Sequence, residues 1–432
     1  MKNLLETRFS FSLLRNSLIP FVWWITFFPG FYSGDSFGAV AMATTGDLTN
    51  AGTASWAIYV RVFSLFGHAF PILTLLSGVI LVYGVTQFAY AILEDTSAAI
   101  SSFLLTLTPV VAGMGITLWH DIPFTSGLLL IVAFFITWMK HPEKNKSHFF
   151  LMLIPGAVLA SFKPNGLPTL LIFGILIALF KKMRASSKYI AGAILISGVV
   201  TLIGSNVIIS MSPINNYYAQ EWMRGDISCF AASANGQGFV EKEIPGIGNT
   251  AKWASKEGCS FLNKADLSID EKTASEKYVP KAWFQLLQSD PLFVFNTHLT
   301  RHAYLVPLPL WGIPTEPFLH STIEFQDGRI EWAFPSVAEK ARVIMRAWNA
   351  SRGVTGWAGL WLLVLLGLAI FLKQKTLIPA ILMSLSIIGV LFIVAPIPDG
   401  RYALFVLIAG QLALTGNLIE WAQTGSNRRP TD

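Results

Sequence analysis

The sequence Pro29-Gly30-Phe31-Tyr32-Ser33-Gly34-Asp35-Ser36 directly follows the first long apolar run of the chain. Its glycines and serines favour a turn, which places the carboxylate of Asp35 just beyond the end of a membrane helix. A second acid, Asp121, has a matching position in Thr117-Leu118-Trp119-His120-Asp121-Ile122-Pro123, between two later apolar runs. We expect Asp35 and Asp121 to face the same side of a membrane and to share an active site.

The composition is that of a polytopic membrane protein. Of the 432 residues, 53% are hydrophobic and 13% are charged, whereas about a quarter of the residues of a soluble globule are charged. The net charge of +6 does not indicate nucleic-acid binding. Outside one polar stretch, the lysines and arginines lie in short loops between apolar runs, as orientation signals do. We therefore expect no nucleic-acid partner.

Ten apolar runs predict about ten transmembrane helices, since one span needs about 20 residues. The first run ends at Phe28, and bulky Trp23 and Trp24 stand where a signal peptidase needs small residues, so we interpret it as a retained anchor. The other runs lie at about 69–93, 98–117, 122–139, 148–162, 166–180, 189–211, 353–372, 376–395 and 402–421. The runs at 148–162 and 166–180 are short, and a re-entrant pair broken at Lys163-Pro164-Asn165-Gly166 is the alternative for them. The fold class predicted is an all-α polytopic membrane protein.

Basic residues predict the orientation of the chain in the cytoplasmic membrane. One set of connections is rich in bases: Lys2, Arg8, Arg15, Lys140, Lys144, Lys146, Lys181, Lys182, Arg184, Lys188, Lys373, Lys375, Arg428 and Arg429. The opposite short loops hold Arg61, Lys163 and Arg401. Basic loops stay in the cytoplasm, so both termini are predicted to be cytoplasmic and the active site extracytoplasmic.

A polar stretch late in the chain predicts a large extracytoplasmic domain. The predicted organisation is an N-terminal transmembrane module at 1–211, the outer domain at 212–352, and C-terminal transmembrane helices at 353–432. Both cysteines, Cys229 and Cys259, fall in the outer stretch. An oxidising compartment would join them, closing a loop of about 30 residues and contributing roughly 3 kcal/mol.

Each candidate site residue also has a plain structural reading. Asp35 can end a turn, and Asp121 can cap the next helix, a use that does not exclude catalysis. Arg401 and Lys163, two of the few outer bases, could clamp a lipid phosphate. The alternatives are snorkelling to lipid headgroups or, for Arg401, a salt bridge to Asp399. Arg61 fits an interfacial amphipathic helix better.

Histidines leave metal binding open. His120, beside Asp121, could hold a divalent metal or orient a phosphate. His298 and His302 have helical spacing without an acid between them, which is a weak metal signal. No Walker-type loop and no strand–GxGxxG–helix pattern occurs in the sequence, so the sequence offers no support for a nucleotide cofactor.

The order of these motifs resembles the GT-C superfamily of integral-membrane glycosyltransferases, in particular bacterial members akin to protein O-mannosyltransferases and lipid A aminoarabinose transferases. The similar features are Gly34-Asp35 in the first outer loop, Trp119-His120-Asp121 in the second, Asn165-Gly166 in the third, and Arg401-Tyr402 at a late span. The resemblance covers the membrane portion of the chain. One departure is the next acid after Asp35, which is Asp47, whereas many relatives have two acids close together.

The resemblance implies transfer of a sugar from a polyprenyl-phosphate donor to an acceptor on the outer face. Asp35 would accept the proton of the acceptor hydroxyl, and Asp121 would position a substrate or help hold a metal. Arg401, with Lys163, His120, Asn165 and Tyr402, would bind the lipid phosphate. The acceptor, whether protein, lipid or polysaccharide, and the donor sugar stay open.

Two other function classes remain as alternatives. A transporter or flippase of a lipid-linked envelope precursor would need charges along a mid-membrane path and internal symmetry, and neither is clear in the sequence. A polysaccharide ligase or polymerase would depend on outer-loop arginines more than on acids.

Overall fold

The structure, a computed structural model, describes residues 2–45, 53–140, 149–180, 183, 187–211, 220–236, 238–245, 269–306, 331–395 and 400–425. The described residues form helices and no strand beyond one isolated bridge between Phe31 and Thr117. The α-helices are α1 (Lys2–Thr26), α2 (Gly34–Thr45), α3 (Ala54–Phe63), α4 (Phe70–Ile92), α5 (Asp95–Leu107), α6 (Pro109–Gly115), α7 (Asp121–Lys140), α8 (Ile154–Ala160), α9 (Gly166–Leu179), α10 (Ser187–Met211), α11 (Glu221–Ala231), α12 (Phe239–Glu243), α13 (Ile269–Ser289), α14 (Pro291–Arg301), α15 (Pro335–Asn349), α16 (Arg352–Thr355), α17 (Ala358–Phe371), α18 (Ile378–Val394) and α19 (Leu404–Gly425). A π-helical stretch, Phe149–Leu153, leads into α8.

The all-helical membrane class is confirmed, whereas the predicted number of ten spans is not. Among the described residues, four helical segments are long and apolar enough to cross a bilayer: Phe70–Ile92, Asp121–Lys140, Lys375–Val394 and Gly400–Gln423. The bent pair α5 and α6, at 66° to each other, makes a fifth if it counts as one broken span. Four further apolar helices are shorter, at 10–17 residues, so ten spans stay a prediction.

The core of the bundle forms around α7, whose side chains from Asp121 to Ile136 are all buried. It packs against α4 on one side and α8 on the other. Glycines allow the close approach to α8: a Cβ on Gly127 would lie 2.6 Å from the carbonyl oxygen of Gly156. Small residues at such contacts are typical of helix packing in membranes, where backbone proximity maximises van der Waals contact.

Polar side chains join α1 to its neighbours inside the bundle. The fully buried Asn16 of α1 donates from Nδ2 to Thr86 Oγ1 of α4 at 3.2 Å and to Ser102 Oγ of α5 at 3.0 Å. Arg15 donates to the carbonyl of Ala99 at 2.5 Å. Satisfied polar groups of this kind hold helices together in lipid, because no water is there to compete.

The bundle has two chemically different ends. At one end Lys140, in the last turn of α7, donates to the carbonyl of Ala91 at 2.6 Å, and Glu420 accepts from the Glu94 backbone N–H at 3.0 Å. Asp121 begins α7 at the other end, about 30 Å away for a helix of this length. The candidate site residues lie at the Asp121 end.

Parts of the 212–352 stretch pack in two places. Helices α11 to α14 share a small apolar core that includes Ile227, Val279, Leu286 and Val294. Helix α15 instead packs against α1 and α6, with Ala338 and Met345 beside Phe27, Phe31 and Ile116. The stretch therefore contacts the membrane helices directly through α15, and the boundaries proposed for it at 212 and 352 stay predictions.

Candidate active site

Backbone contacts bring the loop of Asp35 beside the loop of Asp121. The Phe31 N–H donates to the carbonyl of Ile116 at 3.1 Å, and the Leu118 N–H donates to the carbonyl of Phe31 at 3.1 Å. Gly30 makes this possible, because its φ of +111° suits glycine and a Cβ there would lie 2.6 Å from Thr74 Oγ1. The two acidic loops are thus paired side by side at one end of the bundle.

Two buried serines tie the same loops together through side chains. Ser36 Oγ donates to the carbonyl of Leu118 at 2.8 Å, and accepts from the Ser33 N–H at 2.9 Å. Ser33 Oγ accepts from the indole N–H of Trp119 at 2.5 Å. Asp35 lies between Ser33 and Ser36 in the sequence, in the first turn of α2. Its backbone position is therefore set by the second loop as well as by its own.

Asp35 forms an ion pair with Arg401 from the far end of the sequence. One terminal nitrogen of Arg401 lies 2.8 Å from Asp35 Oδ2, and the Asp35 side chain is 59% exposed while that of Arg401 is 6% exposed. Burial raises the pKa of the Asp35 carboxyl. Electrostatic interaction with Arg401 and His120 lowers this pKa by a larger amount, so that the pKa lies below its usual range. Asp35 is therefore ionised at neutral pH and accessible.

Aromatic rings surround the guanidinium of Arg401. Its Cζ lies 4.6 Å from the centre of the Trp119 ring and 5.1 Å from that of Tyr402. Trp119 is 1% exposed, and Ser33 fixes its indole N–H. Rings at this distance attract a cation through their quadrupole and hold the plane of a guanidinium. The predicted alternative partner, Asp399, lies outside the described residues.

Asp121 occupies a different environment from Asp35. It is fully buried, and its two oxygens contact different cationic groups: Oδ1 lies 2.5 Å from Lys163 Nζ, and Oδ2 lies 2.9 Å from His120 Nδ1. Lys163 is 5% exposed and reaches this point from the turn between α8 and α9. Both carboxylate oxygens are thus engaged by protein groups, and none of the surface of Asp121 is accessible.

Lys163 links this buried pair to the Arg401 pair. Its Nζ lies 4.1 Å from the centre of the Tyr402 ring, and Tyr402 also contacts Arg401. The structure therefore brings together Asp35, Asp121, His120, Lys163, Arg401 and Tyr402. Asn165, half-buried, is the residue before α9 and makes no side-chain cap hydrogen bond there. Its role in binding stays a prediction.

Trp119 and Ser33 are site residues that the sequence did not single out. The sequence signal was present, since Ser33 stands two residues before Asp35 and Trp119 two residues before Asp121. Only the paired loops show that these neighbours contact each other across 86 residues. Trp119 therefore contacts both Ser33, in the loop of Asp35, and Arg401, the ion-pair partner of Asp35.

Two further predictions concern a metal site and the disulfide between Cys229 and Cys259. No group of three or more His, Cys, Asp or Glu with metal-binding geometry occurs in the described part of the chain. His298 contacts Asp226 at 2.7 Å and the Phe392 carbonyl at 2.6 Å, so its ring nitrogens already have protein partners. Cys229 is buried and is not a free thiol. Cys259 lies outside the described residues, so the pairing stays a prediction.

Comparison with solved structures finds a distant similarity over most of the chain. The chain is similar to ArnT. The crystal structure of ArnT from Cupriavidus metallidurans bound to undecaprenyl phosphate matches at 14% identity and a TM-score of 0.38, over 98% of this chain and 81% of that one. The apo structure of the same protein matches at 14% identity and a TM-score of 0.38, over 96% and 79%. No protein-family model and no curated protein sequence matches the chain.

A similarity of this size does not determine an activity. The proposed function therefore depends on the side chains of the site.

Proposed function

We propose that this protein is a membrane glycosyltransferase that moves a sugar from a polyprenyl-phosphate donor to an acceptor. The reaction would take place on the outer face of the cytoplasmic membrane, in the assembly of the cell envelope. The acceptor is a hydroxyl or amine of a protein, lipid or polysaccharide. The energy of transfer comes from the phosphate-linked donor itself, so no nucleotide needs to bind.

The observation that carries the proposal is the pairing of an accessible carboxylate with a nearly buried arginine at one end of a membrane bundle. Asp35 is 59% exposed and lies 2.8 Å from Arg401. A general base must be ionised and must be reachable by the acceptor. A lipid phosphate, as leaving group, needs fixed positive charge where its own negative charge develops. Asp35 and Arg401 meet these two requirements side by side.

In the proposed reaction the acceptor oxygen or nitrogen attacks the anomeric carbon of the donor sugar. The new bond forms as the bond from that carbon to the phosphate oxygen breaks, and the electron pair leaves with the polyprenyl phosphate. Asp35 takes the acceptor proton. Arg401, held between Trp119 and Tyr402, stabilises the phosphate, and Lys163 adds to the positive field.

Asp121 has a positioning role in this scheme rather than a direct one. Its carboxylate is fully buried and is engaged by Lys163 and His120. An acid without accessible surface cannot take a proton from an acceptor unless the site rearranges. It can hold Lys163 and His120 in place and compensate their charge. We therefore assign proton transfer to Asp35 alone.

The test is transfer of radiolabelled sugar by the purified protein from a panel of polyprenyl-phosphate donors. Asp35→Asn should lose about 10²–10⁴-fold in kcat, the contribution typical of general-base catalysis. A matched control is Asp95→Asn, which changes an acid in the first turn of α5 just as Asp35 lies in the first turn of α2. Asp95 begins α5, three residues after α4 ends at Ile92, at the Lys140 end of the bundle.

Equal transfer by Asp35→Asn and wild type would overturn the assignment of the base. If the wild type transferred sugar from no donor, while labelled lipid crossed liposomes that contain the protein, the transporter alternative would replace this proposal.

A further inference from the structure

Helix α3 and the turn after it carry a surface that the proposed reaction does not use. The four large apolar side chains at its C-terminal end are about half exposed, and we call them the α3 tip: Val62 at 48%, Phe63 at 51%, Leu65 at 58% and Phe66 at 61%. A soluble protein rarely exposes such a continuous apolar patch without a partner for it. The question is what covers the tip.

The backbone directs two of these side chains outward at a conformational cost. Leu65 and Phe66 have φ angles of 51° and 56°, in the left-handed region that bulky residues seldom adopt. Hydrogen bonds from the Phe66 N–H to the Arg61 carbonyl, at 2.8 Å, and from the Ala69 N–H to the Ser64 carbonyl, at 2.7 Å, fix the turn. The fold thus holds the tip in an exposed and ordered arrangement.

The tip lies where a membrane span begins. Helix α4, one of the candidate spans, starts at Phe70, three residues after Gly67. Ile72, in the first turn of α4, is also apolar and 52% exposed. Phe66, the tip residue nearest to α4 in the sequence, is four residues before Phe70, and four residues reach at most about 14 Å. The tip therefore lies close to the end at which α4 begins.

The charge around the tip suits a lipid surface. The sequence has no Asp or Glu between Asp47 and Glu94. The guanidinium of Arg61 lies 5.7 Å from the centre of the Phe66 ring, so the cation and the apolar tip share one side of the helix. Apolar side chains beside a base, without acids, are the features of helices that lie in a membrane interface.

We propose that the α3 tip inserts into the bilayer on the side of the candidate active site. Phe63, Leu65 and Phe66 contact the upper acyl chains, and Arg61 contacts lipid phosphates. The N-terminal end of α3 contacts the site: the Trp56 ring lies 6.2 Å from that of His120, and Ser55 Oγ donates to the Ser161 carbonyl at 2.8 Å. Insertion of the tip would thus fix the depth of the site relative to the lipid. This inference does not depend on the proposed reaction.

The experiment measures the depth of the tip in the full-length chain. Phe66→Cys is labelled with bimane in nanodiscs of phosphatidylcholine and phosphatidylglycerol that hold one protein copy each. Fluorescence is quenched either by lipid with a nitroxide high on the acyl chain or by aqueous iodide. Two matched cysteine variants set the limits: Leu195→Cys on α10, 66% exposed on an apolar helix, and Lys242→Cys, whose side chain is 81% exposed in the polar stretch. Label on the unsubstituted chain gives the background of Cys229 and Cys259.

We expect the nitroxide lipid to quench the label at position 66 nearly as strongly as at position 195, and iodide to quench it far less than at position 242. Quenching by iodide equal to that at 242, without quenching by the lipid, would overturn the proposal. Protection from both quenchers would overturn it as well, since another part of the protein would then cover the tip. If Phe66→Cys does not fold, Leu65→Cys, at 58% exposure, provides the same measurement.

Discussion

Two clusters of acids and bases occur in different parts of the molecule, and they differ in access to solvent. In the α11–α14 region, Asp226 contacts His298 at 2.7 Å and Arg301 at 3.0 Å, and the side chains of all three are at most 4% exposed. At the end of the bundle, Asp35 pairs with Arg401 at 2.8 Å but stays 59% exposed. The contact distances in the two clusters are similar, but the carboxylate of Asp35 is accessible and that of Asp226 is not.

The difference separates a structural cluster from one that can react. Asp226 also accepts from the Trp283 indole N–H at 2.8 Å, and His298 contacts the carbonyl of Phe392 near the end of α18. That cluster therefore joins the α11–α14 region to a membrane helix and leaves no surface for a substrate. Asp121 with Lys163 resembles the buried cluster, although it lies beside Asp35. Proximity to a site thus does not by itself indicate a chemical role.

The largest effect on stability is expected from breaking the buried pair next to the site. Asp121→Asn leaves Lys163 charged and buried without its counter-ion, and should lower the free energy of unfolding by about 3–5 kcal/mol. Denaturant unfolding in detergent measures this. The double variant Asp121→Leu/Lys163→Met should recover much of the stability, because an apolar pair avoids the cost of burying two charges. A double variant no more stable than Asp121→Asn would contradict a structural role for this pair.

Arg401→Lys tests whether the exposed pair needs a guanidinium. Lysine keeps the charge but lacks the several N–H donors with which a guanidinium can contact Asp35 beside Trp119 and Tyr402, so we expect kcat for sugar transfer to fall by about 10–100-fold. The control is Arg342→Lys, which changes an arginine that pairs with Glu339 on α15. Equal rates for Arg401→Lys and wild type would show that the plane of the guanidinium has no function.

Trp119 should act through Arg401, with a smaller effect. Trp119→Leu removes the ring and should cost about 2–30-fold in kcat, which corresponds to the usual 0.5–2 kcal/mol of a cation–π contact. Trp119→Phe keeps a ring and should cost less. Both effects should be smaller when Arg401 is already lysine, because the ring then attracts an ammonium group and has no guanidinium plane to hold. If the loss of kcat from Trp119→Leu simply adds to the loss from Arg401→Lys, Trp119 contributes by packing alone. The control Trp361→Phe on α17 should show this additive behaviour.

The smallest change is a shift in the pH dependence of transfer. Asp35 must be ionised to accept a proton, so kcat/KM should fall as the pH drops through its lowered pKa. Arg401→Gln removes the charge and the hydrogen bond of Arg401, which both lower the pKa of Asp35, so this pKa should rise. The acid limb of the residual activity should move to higher pH, whereas Arg342→Gln should leave it in place. If the acid limb of the pH profile stays at the same pH in Arg401→Gln, a group other than Asp35 determines that limb.

Much of this arrangement could be predicted from sequence, because it depends on local patterns. Apolar runs predicted the membrane helices, and the positions of Asp35, Asp121, Lys163 and Arg401 at the ends of runs predicted that they would lie together. The runs at 148–162 and 166–180 are already short in the sequence, and the corresponding helices are shorter than a span.

Contacts between distant residues could not be predicted in the same way. The spacing of four made His298 and His302 only a weak metal candidate, and the structure shows His298 in contact with Asp226, 72 residues earlier, and with the Phe392 carbonyl. Likewise, Asp399 is two residues from Arg401, but the described partner of Arg401 is Asp35, 366 residues away. Charge and hydropathy along the chain indicate which end of a helix a residue occupies. The choice of partner at that end depends on packing, which a single sequence does not specify.

The most direct test measures Asp35→Asn and Asp226→Asn side by side, for kcat of sugar transfer per folded molecule and for the free energy of unfolding. We predict opposite results. Asp35→Asn should lose transfer by about 10²–10⁴-fold with little change in stability, and Asp226→Asn should lose about 3–5 kcal/mol of stability while its folded fraction transfers sugar at the wild-type rate. Transfer retained by Asp35→Asn, or abolished in folded Asp226→Asn, would contradict the account.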